Sequence, residues 1–241
     1  GDTPSTLPST ANDLDFGAEV AIKLAVGRVH ACVVMHSGKV FCFGGFLSGR
    51  LGMNQNSNLI GNNEPANHEG PVPIVGAPTK TVVDVGCVDA HTCVLRNDGT
   101  VQCWGSNEYG QLALKNDDSS NLGDDAAENG NSNVAPLPRD VVQIAVAYFH
   151  TCVLYDDGTV ACFGRGSFGR LGYGNEDHFG LSSAHDFNQR VNLHDTVVSL
   201  STESLGTCVI YRRGAYSCWG SGFNGRLGTG NQNKVGDDET P

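Results

Sequence analysis

Basic residues are scarce: 15 Lys and Arg stand against 26 Asp and Glu in 241 residues, a net charge of −11. That deficit argues against duplex nucleic acid, which is held by cations neutralising phosphates, and against anionic membrane surfaces. Long hydrophobic runs are also missing. The best, Val141–Phe149, has nine residues and includes Gln143, well short of a bilayer span. There is no Cys-x-x-Cys, no metalloprotease His pair, no phosphate-binding loop and no nucleophile elbow. The chain is therefore expected not to be an enzyme. No Asn-x-Ser/Thr sequon occurs, and no Met or signal-like stretch opens the chain at Gly1. It is expected to be a processed product or a part of something longer. What is abundant is glycine, 32 residues without a collagen period, beside only 17% charged residues. Both suit a turn-rich β protein.

The nine cysteines carry the first positive signal. Eight form four pairs with one spacing: Cys32/Cys42, Cys93/Cys103, Cys152/Cys162 and Cys208/Cys218. The first members lie 61, 59 and 56 residues apart, which is the signature of a repeat architecture. The repeats fall at about 1–61, 62–122, 123–180 and 181–241. Their cores read HACVVMHSGKVFCFG, HTCVLRNDGTVQCWG, HTCVLYDDGTVACFG and GTCVIYRRGAYSCWG. Each is preceded by an apolar strand-like run (Val20–Val26, Val82–Val85, Val141–Val146, Thr196–Leu200) and followed by Gly-Arg-Leu-Gly or a variant.

Within each core an alternating run meets a three-residue loop ending in glycine: Gly38, Gly99, Gly158 and Gly214. That is a type I turn closed by a left-handed residue, where glycine takes positive φ without a Cβ clash. Counting outward from the loop sets each Cys opposite its pair, within reach of a disulfide. Four cross-strand disulfides point to an oxidising compartment; four pairs of buried thiols are the alternative. Cys87 is left over, either a buried free thiol or an intermolecular link.

These residues resemble the regulator-of-chromosome-condensation repeat family. Its pattern is an apolar strand, a Gly-containing turn, His-Thr-x-Ala-Leu, an Asp-Gly hairpin, an aromatic-Gly dipeptide and Gly-Gln-Leu-Gly. His91-Thr92-Cys93-Val94-Leu95, Asp98-Gly99, Trp104-Gly105 and Gly110-Gln111-Leu112 match it, and the other repeats nearly so. The resemblance implies an all-β fold, a β-propeller with about one four-stranded blade per repeat. Full members usually have seven blades; four repeats mean four blades, or part of a larger or continuing array. The Cys-paired form looks like the version found in extracellular and cell-surface proteins. His30, His91 and His150 recur at one position and are read as structural, as are Trp104 and Trp219.

The linkers Met53–Gly70, Lys115–Asn133 and Gly174–Gln189 are polar and aperiodic, expected as surface loops on one face. Asp117, Asp118, Asp124 and Asp125 are read as a solvated acidic stretch. They are also the chain's one candidate for Ca²⁺, though they match no calcium-loop pattern; no other cofactor is expected. The expected function is a non-catalytic, secreted or cell-surface structural or interaction module, in its specific form a subunit that assembles with its own copies into a filament or appendage. The alternative is a soluble propeller that takes a partner protein on its loop face. Guanine-nucleotide exchange, which the family name suggests, requires a reducing compartment, and the eight paired cysteines weigh against it. Partners are thus expected to be proteins, either self copies or other surface proteins, with no nucleic acid and no membrane span.

Overall fold

Three-residue loops too tight for anything but a hairpin punctuate the chain four times, and the sheets are built outward from them. In the second, Gly99 sits at φ +75°. Its N–H donates to the Arg96 carbonyl (3.0 Å), and the Arg96 N–H donates to the Thr100 carbonyl (2.9 Å). The computed structural model describes residues 14–53, 59–62, 64–114, 119–125 and 134–241. It contains twelve strands: β1 (Ala21–Val26), β2 (His30–Met35), β3 (Val40–Gly44), β4 (Val82–Cys87), β5 (His91–Arg96), β6 (Val101–Gly105), β7 (Val141–Val146), β8 (His150–Tyr155), β9 (Val160–Gly164), β10 (Val197–Glu203), β11 (Gly206–Tyr211) and β12 (Tyr216–Gly220). They form four antiparallel sheets of three strands, each in sequence order. No helix among the described residues is long and apolar enough to cross a membrane.

The sheets are the blades of a propeller. The first strand of each blade packs on the blade before: β4 on β1 and β2, β7 on β4 and β5, β10 on β7 and β8. Each first strand carries a β-bulge, between Ala21 and Lys23, Val82 and Asp84, Val141 and Gln143, and Val197 and Ser199. Bulges increase local twist.

Among the described residues the expected fourth strand is present only as isolated bridges: Gly44 with Ile60, Gly105 with Leu122, Gly164 with Phe179 and Gly220 with Val235, and in the second blade also Gln102 with Val134. The linkers that supply it lack the alternation a strand needs, so no continuous ladder forms.

Blade position decides burial. The second and third hairpins are covered on both faces, and every residue of β5, β6, β8 and β9 is buried. This is why their sequences read as nearly continuous apolar runs. The outermost blades are covered on one face only. On β1, Leu24 is 63% and Val26 71% exposed, whereas their equivalents Val85 and Cys87 on β4 are buried. On the last blade, Ile210 is 48% and Tyr216 69% exposed, against buried Leu154 and Val160 one blade earlier. Among the described residues the strands of the first and last blades share no packing of the kind that joins the internal seams, so the four blades as described form an open arc.

Candidate functional site

The recurring histidines lie in the seams between blades. His30 Nε2 reaches Thr92 Oγ1 of the next blade at 2.8 Å, His91 Nε2 reaches Thr151 Oγ1 at 2.8 Å, and His150 Nε2 reaches Thr207 Oγ1 at 3.1 Å. Each threonine hydroxyl in turn donates to a carbonyl of the preceding blade: Arg50 (2.9 Å), Gln111 (3.2 Å) and Arg170 (3.1 Å). A hydroxyl has one proton, and here it goes to the carbonyl. The histidine Nε2 must therefore be the donor, and Nδ1 is left as a bare acceptor. Nδ1 of all three rings is buried with no hydrogen-bond partner among the described residues, which an unprotonated nitrogen bears at less cost than an N–H would. Trp104 and Trp219 complete the same device, donating Nε1–H to the Arg50 and Arg170 carbonyls at 3.0 Å. Arg50 and Arg170 also cross the seam, donating to the Asp89 and Ser204 carbonyls. These residues join blades and have no substrate-facing geometry.

The seams carry a pH dependence. Burial, with help from the neighbouring Arg50, lowers His30 from about 6.5 to about 4. Burial next to His30 lowers His91 to about 3, and burial beside Arg170 lowers His150 to about 3. The folded protein keeps all three rings neutral while the unfolded chain protonates them near pH 6.5. The unfolded state thus binds more protons below pH 6.5, and stability is lost as pH falls from there toward about 4. Each ring contributes roughly 1.4 kcal/mol per pH unit within that window. Melting temperature should fall steadily from pH 7 to pH 4, and His91→Gln, which keeps a donor for Thr151, should flatten the slope. A flat profile in the wild-type protein would contradict the neutral-ring assignment.

The disulfides close their own hairpins: Cys32–Cys42, Cys93–Cys103, Cys152–Cys162 and Cys208–Cys218, with Cα atoms 4.0–4.1 Å apart. Cys87 is free and buried at the first seam, its Sγ 3.9 Å from the His30 carbonyl. Burial pushes its thiol up to about 11. His30, Cys32 and Cys87 lie within metal-ligating distance of one another, but the Cys32 sulfur is already committed to Cys42. Asp117 and Asp118 lie outside the described residues. Asp124 sits in the linker beside Asn121, whose side-chain amide reaches its carboxylate at 3.4 Å, and Asp125 follows it. A second acidic group, Asp237, Asp238 and Glu239, was not anticipated from the sequence. Lys234 pairs with Asp237 at 3.1 Å, and Glu239 accepts from the Gly236 N–H.

A partly buried aromatic cluster between the second and third blades remains as a candidate surface. There Tyr109 meets Phe149 and His178 edge-on at centroid distances of 5.2 and 5.1 Å, and the Arg165 guanidinium lies 5.0 Å over the Tyr109 ring.

The family model of the regulator of chromosome condensation (RCC1) repeat matches residues 82–111, 141–170 and, in a second form, 98–154. Residues 82–170 carry RCC1 repeats. Among curated proteins it is similar to human E3 ubiquitin-protein ligase HERC2, 26% identical over 227 residues. That match covers 91% of this chain but 4% of HERC2. Among solved structures it superposes on human WBSCR16 with a TM-score of 0.73 at 19% identity, covering 93% of this chain and 54% of that one. Yeast RCC1 (Prp20) bound to Kap60 gives 0.70 at 19% identity, covering 94% and 49%. The RCC1-repeat arc therefore spans about half of each of these structures and a small fraction of the ligase.

Proposed function

We propose that this RCC1-repeat chain is a non-catalytic protein-interaction module of an extracellular or cell-surface protein. The observation that carries the reading is the use made of its reactive groups. All four hairpins are stapled by disulfides, and the recurring histidines are buried and hydrogen-bonded within the seams. No nucleophile with an adjacent base is assembled among the described residues. Disulfide-bonded hairpins in every repeat suit an oxidising environment. Yeast RCC1 has been solved with a protein partner, Kap60, and a protein partner is the corresponding expectation here.

The test is thiol labelling of native material without reductant, followed by peptide mass mapping. The eight hairpin cysteines are expected to be protected and linked 32–42, 93–103, 152–162 and 208–218. Reactive thiols at those positions would place the protein in a reducing compartment and remove the reading. A second reading, a soluble propeller that binds a protein on its loop face, is favoured by the Tyr109–Phe149–Arg165–His178 cluster, since aromatic and Arg side chains are the usual anchors of protein interfaces.

A further inference from the structure

The four repeats are controls for one another: where all share one backbone geometry, a side chain that a single blade carries is not there to hold the fold. In every blade the residue after the glycine that ends the third strand donates its N–H to the carbonyl just before the second strand. The pairs are Gly45 to Val29, Ser106 to Ala90, Arg165 to Phe149 and Ser221 to Leu205, at 2.7–2.9 Å. Glycine or serine facing an aliphatic residue satisfies this junction three times. The third blade alone places an arginine and a phenylalanine there, and Tyr109 of the second blade lies against both. We propose that Arg165, His178 and the Tyr109–Phe149 pair form a docking site for a short linear segment of a partner protein, in which a Glu or Asp carboxylate stands beside an apolar residue. This rests on the interaction-module reading and gives the chemistry of its partner.

The polar side of the site consists of donors. The Arg165 guanidinium lies 5.0 Å over the Tyr109 ring and 5.4 Å over the Phe149 ring, and its Nε donates to Ser167 Oγ at 3.2 Å. A guanidinium held on aromatic rings keeps its terminal N–H groups for a planar acceptor. Among the described residues no carboxylate forms an ion pair with it, although Arg28, Arg96, Arg139, Arg213 and Arg226 each have one. With 26 acidic residues against 15 basic in the chain, a cation left without a carboxylate is available to one from outside. His178 supplies the second donor. Its Nδ1 accepts the Gly166 N–H at 3.2 Å. Burial, then Arg165 and Arg170, hold its pKa below the ordinary value, so the ring is neutral at pH 7. A neutral ring that accepts at Nδ1 carries its proton on Nε2. His178 is exposed, unlike the three seam histidines, and presents that N–H to solvent.

Two observations choose the occupant. One guanidinium beside neutral donors matches the single charge of a carboxylate, whereas a phosphate dianion calls for a cluster of cations. Next to it, Tyr109, Phe149 and Tyr148 are half-buried and meet edge-on at 5.2 and 4.3 Å, an apolar surface for the neighbouring residue. Glu108 and Asp177 flank the site and the chain carries −11 overall, which repels a long acidic run. The fitting segment therefore has one carboxylate among apolar neighbours. Both blades that build the site have a blade on either side, so its geometry is set by internal seams.

The test pans the oxidised 241-residue chain against a phage-displayed library of random dodecapeptides. Enriched peptides are expected to carry Glu or Asp next to Leu, Pro or an aromatic residue. The best is synthesised and titrated against the wild type and three variants by calorimetry. Arg165→Ser and Phe149→Ala install residues that sister blades hold at the same junction, so the fold is spared; circular dichroism checks this. His178→Asn keeps an acceptor for the Gly166 N–H and removes the Nε2 donor. Arg165→Ser should weaken binding at least about tenfold, and the other two about three- to tenfold. Exchanging the peptide carboxylate for its amide should cost the wild type as much as Arg165→Ser does, and cost the Arg165→Ser variant little. Arg139→Gln, a cation outside the site, should change nothing. Failure to enrich any peptide, enrichment of basic or uncharged peptides, or an affinity indifferent to Arg165→Ser would overturn the site. Peptides that bind the oxidised chain yet ignore all three variants would remove this site and leave the interaction-module reading intact.

Discussion

Gly99→Val is expected to lower the melting temperature by on the order of 10 °C, for two separable reasons. The hairpin holds residue 99 at φ +75°, where a β-branched side chain is strained by about 1–3 kcal/mol. A Cβ there would also lie 2.7 Å from the Asp140 Cβ and 3.0 Å from its Cα, both in the next blade. Relieving that clash means parting the second and third blades, and overpacking of this kind costs a further 1–3 kcal/mol or so. Gly214→Val isolates the first term. Gly214 has φ +85° but nothing within 4 Å, so in the single chain it should lose about half as much. Thermal melts of the two variants at low protein concentration decide the matter. Equal losses would mean that the inter-blade contact contributes nothing; an unchanged Gly99→Val would mean that the turn is misassigned.

Reduction of the four disulfides should have the largest effect of any treatment. Each closes a short loop and contributes up to about 3 kcal/mol in the chain-entropy view. Four together are comparable with the whole stability of an ordinary domain, about 5–15 kcal/mol. The reduced protein is therefore expected to be unfolded or nearly so at room temperature, as read by circular dichroism with and without reductant. The order of reduction is also expected. Cys93, Cys103, Cys152 and Cys162 are fully buried, whereas Cys208 and Cys218 on the last blade are only partly covered. Timed alkylation should find Cys208–Cys218 opened first, and Cys87 unlabelled until the blades separate. A reduced protein that melts as the oxidised one does would show the disulfides to be incidental to stability.

The seam histidines and the end faces are two aspects of one arrangement. Where a blade has a successor, its histidine donates to a threonine and its apolar residues are covered. Where it has none, the polar pair is missing and the apolar residues stay in water. The arrangement also explains why so few charged residues suffice for this chain, since the inner strands have no solvent face to decorate.

The sequence by itself determined the repeat, the four hairpins, the glycine at each turn and the pairing of eight cysteines. All of these are contacts within about ten residues, set by turn geometry and by the two-residue period of a strand. Only the tertiary structure decided the rest. The histidines could be read as structural, but their threonine partners lie 57–62 residues away, in the next blade. The fourth strand shrank to isolated bridges because linker composition signals a loop, without saying where that loop touches the sheet. The openness of the arc left one local mark, Gly206 and Ala31 where the other repeats have histidine and threonine, and it has no meaning until the seams are seen. Gly99 and Gly214 occupy the same place in the same motif, yet one is pressed against Asp140 and the other faces empty space. Local sequence sets the shape of each blade; the environment of a blade depends on what stands beside it, and that is a property of the array.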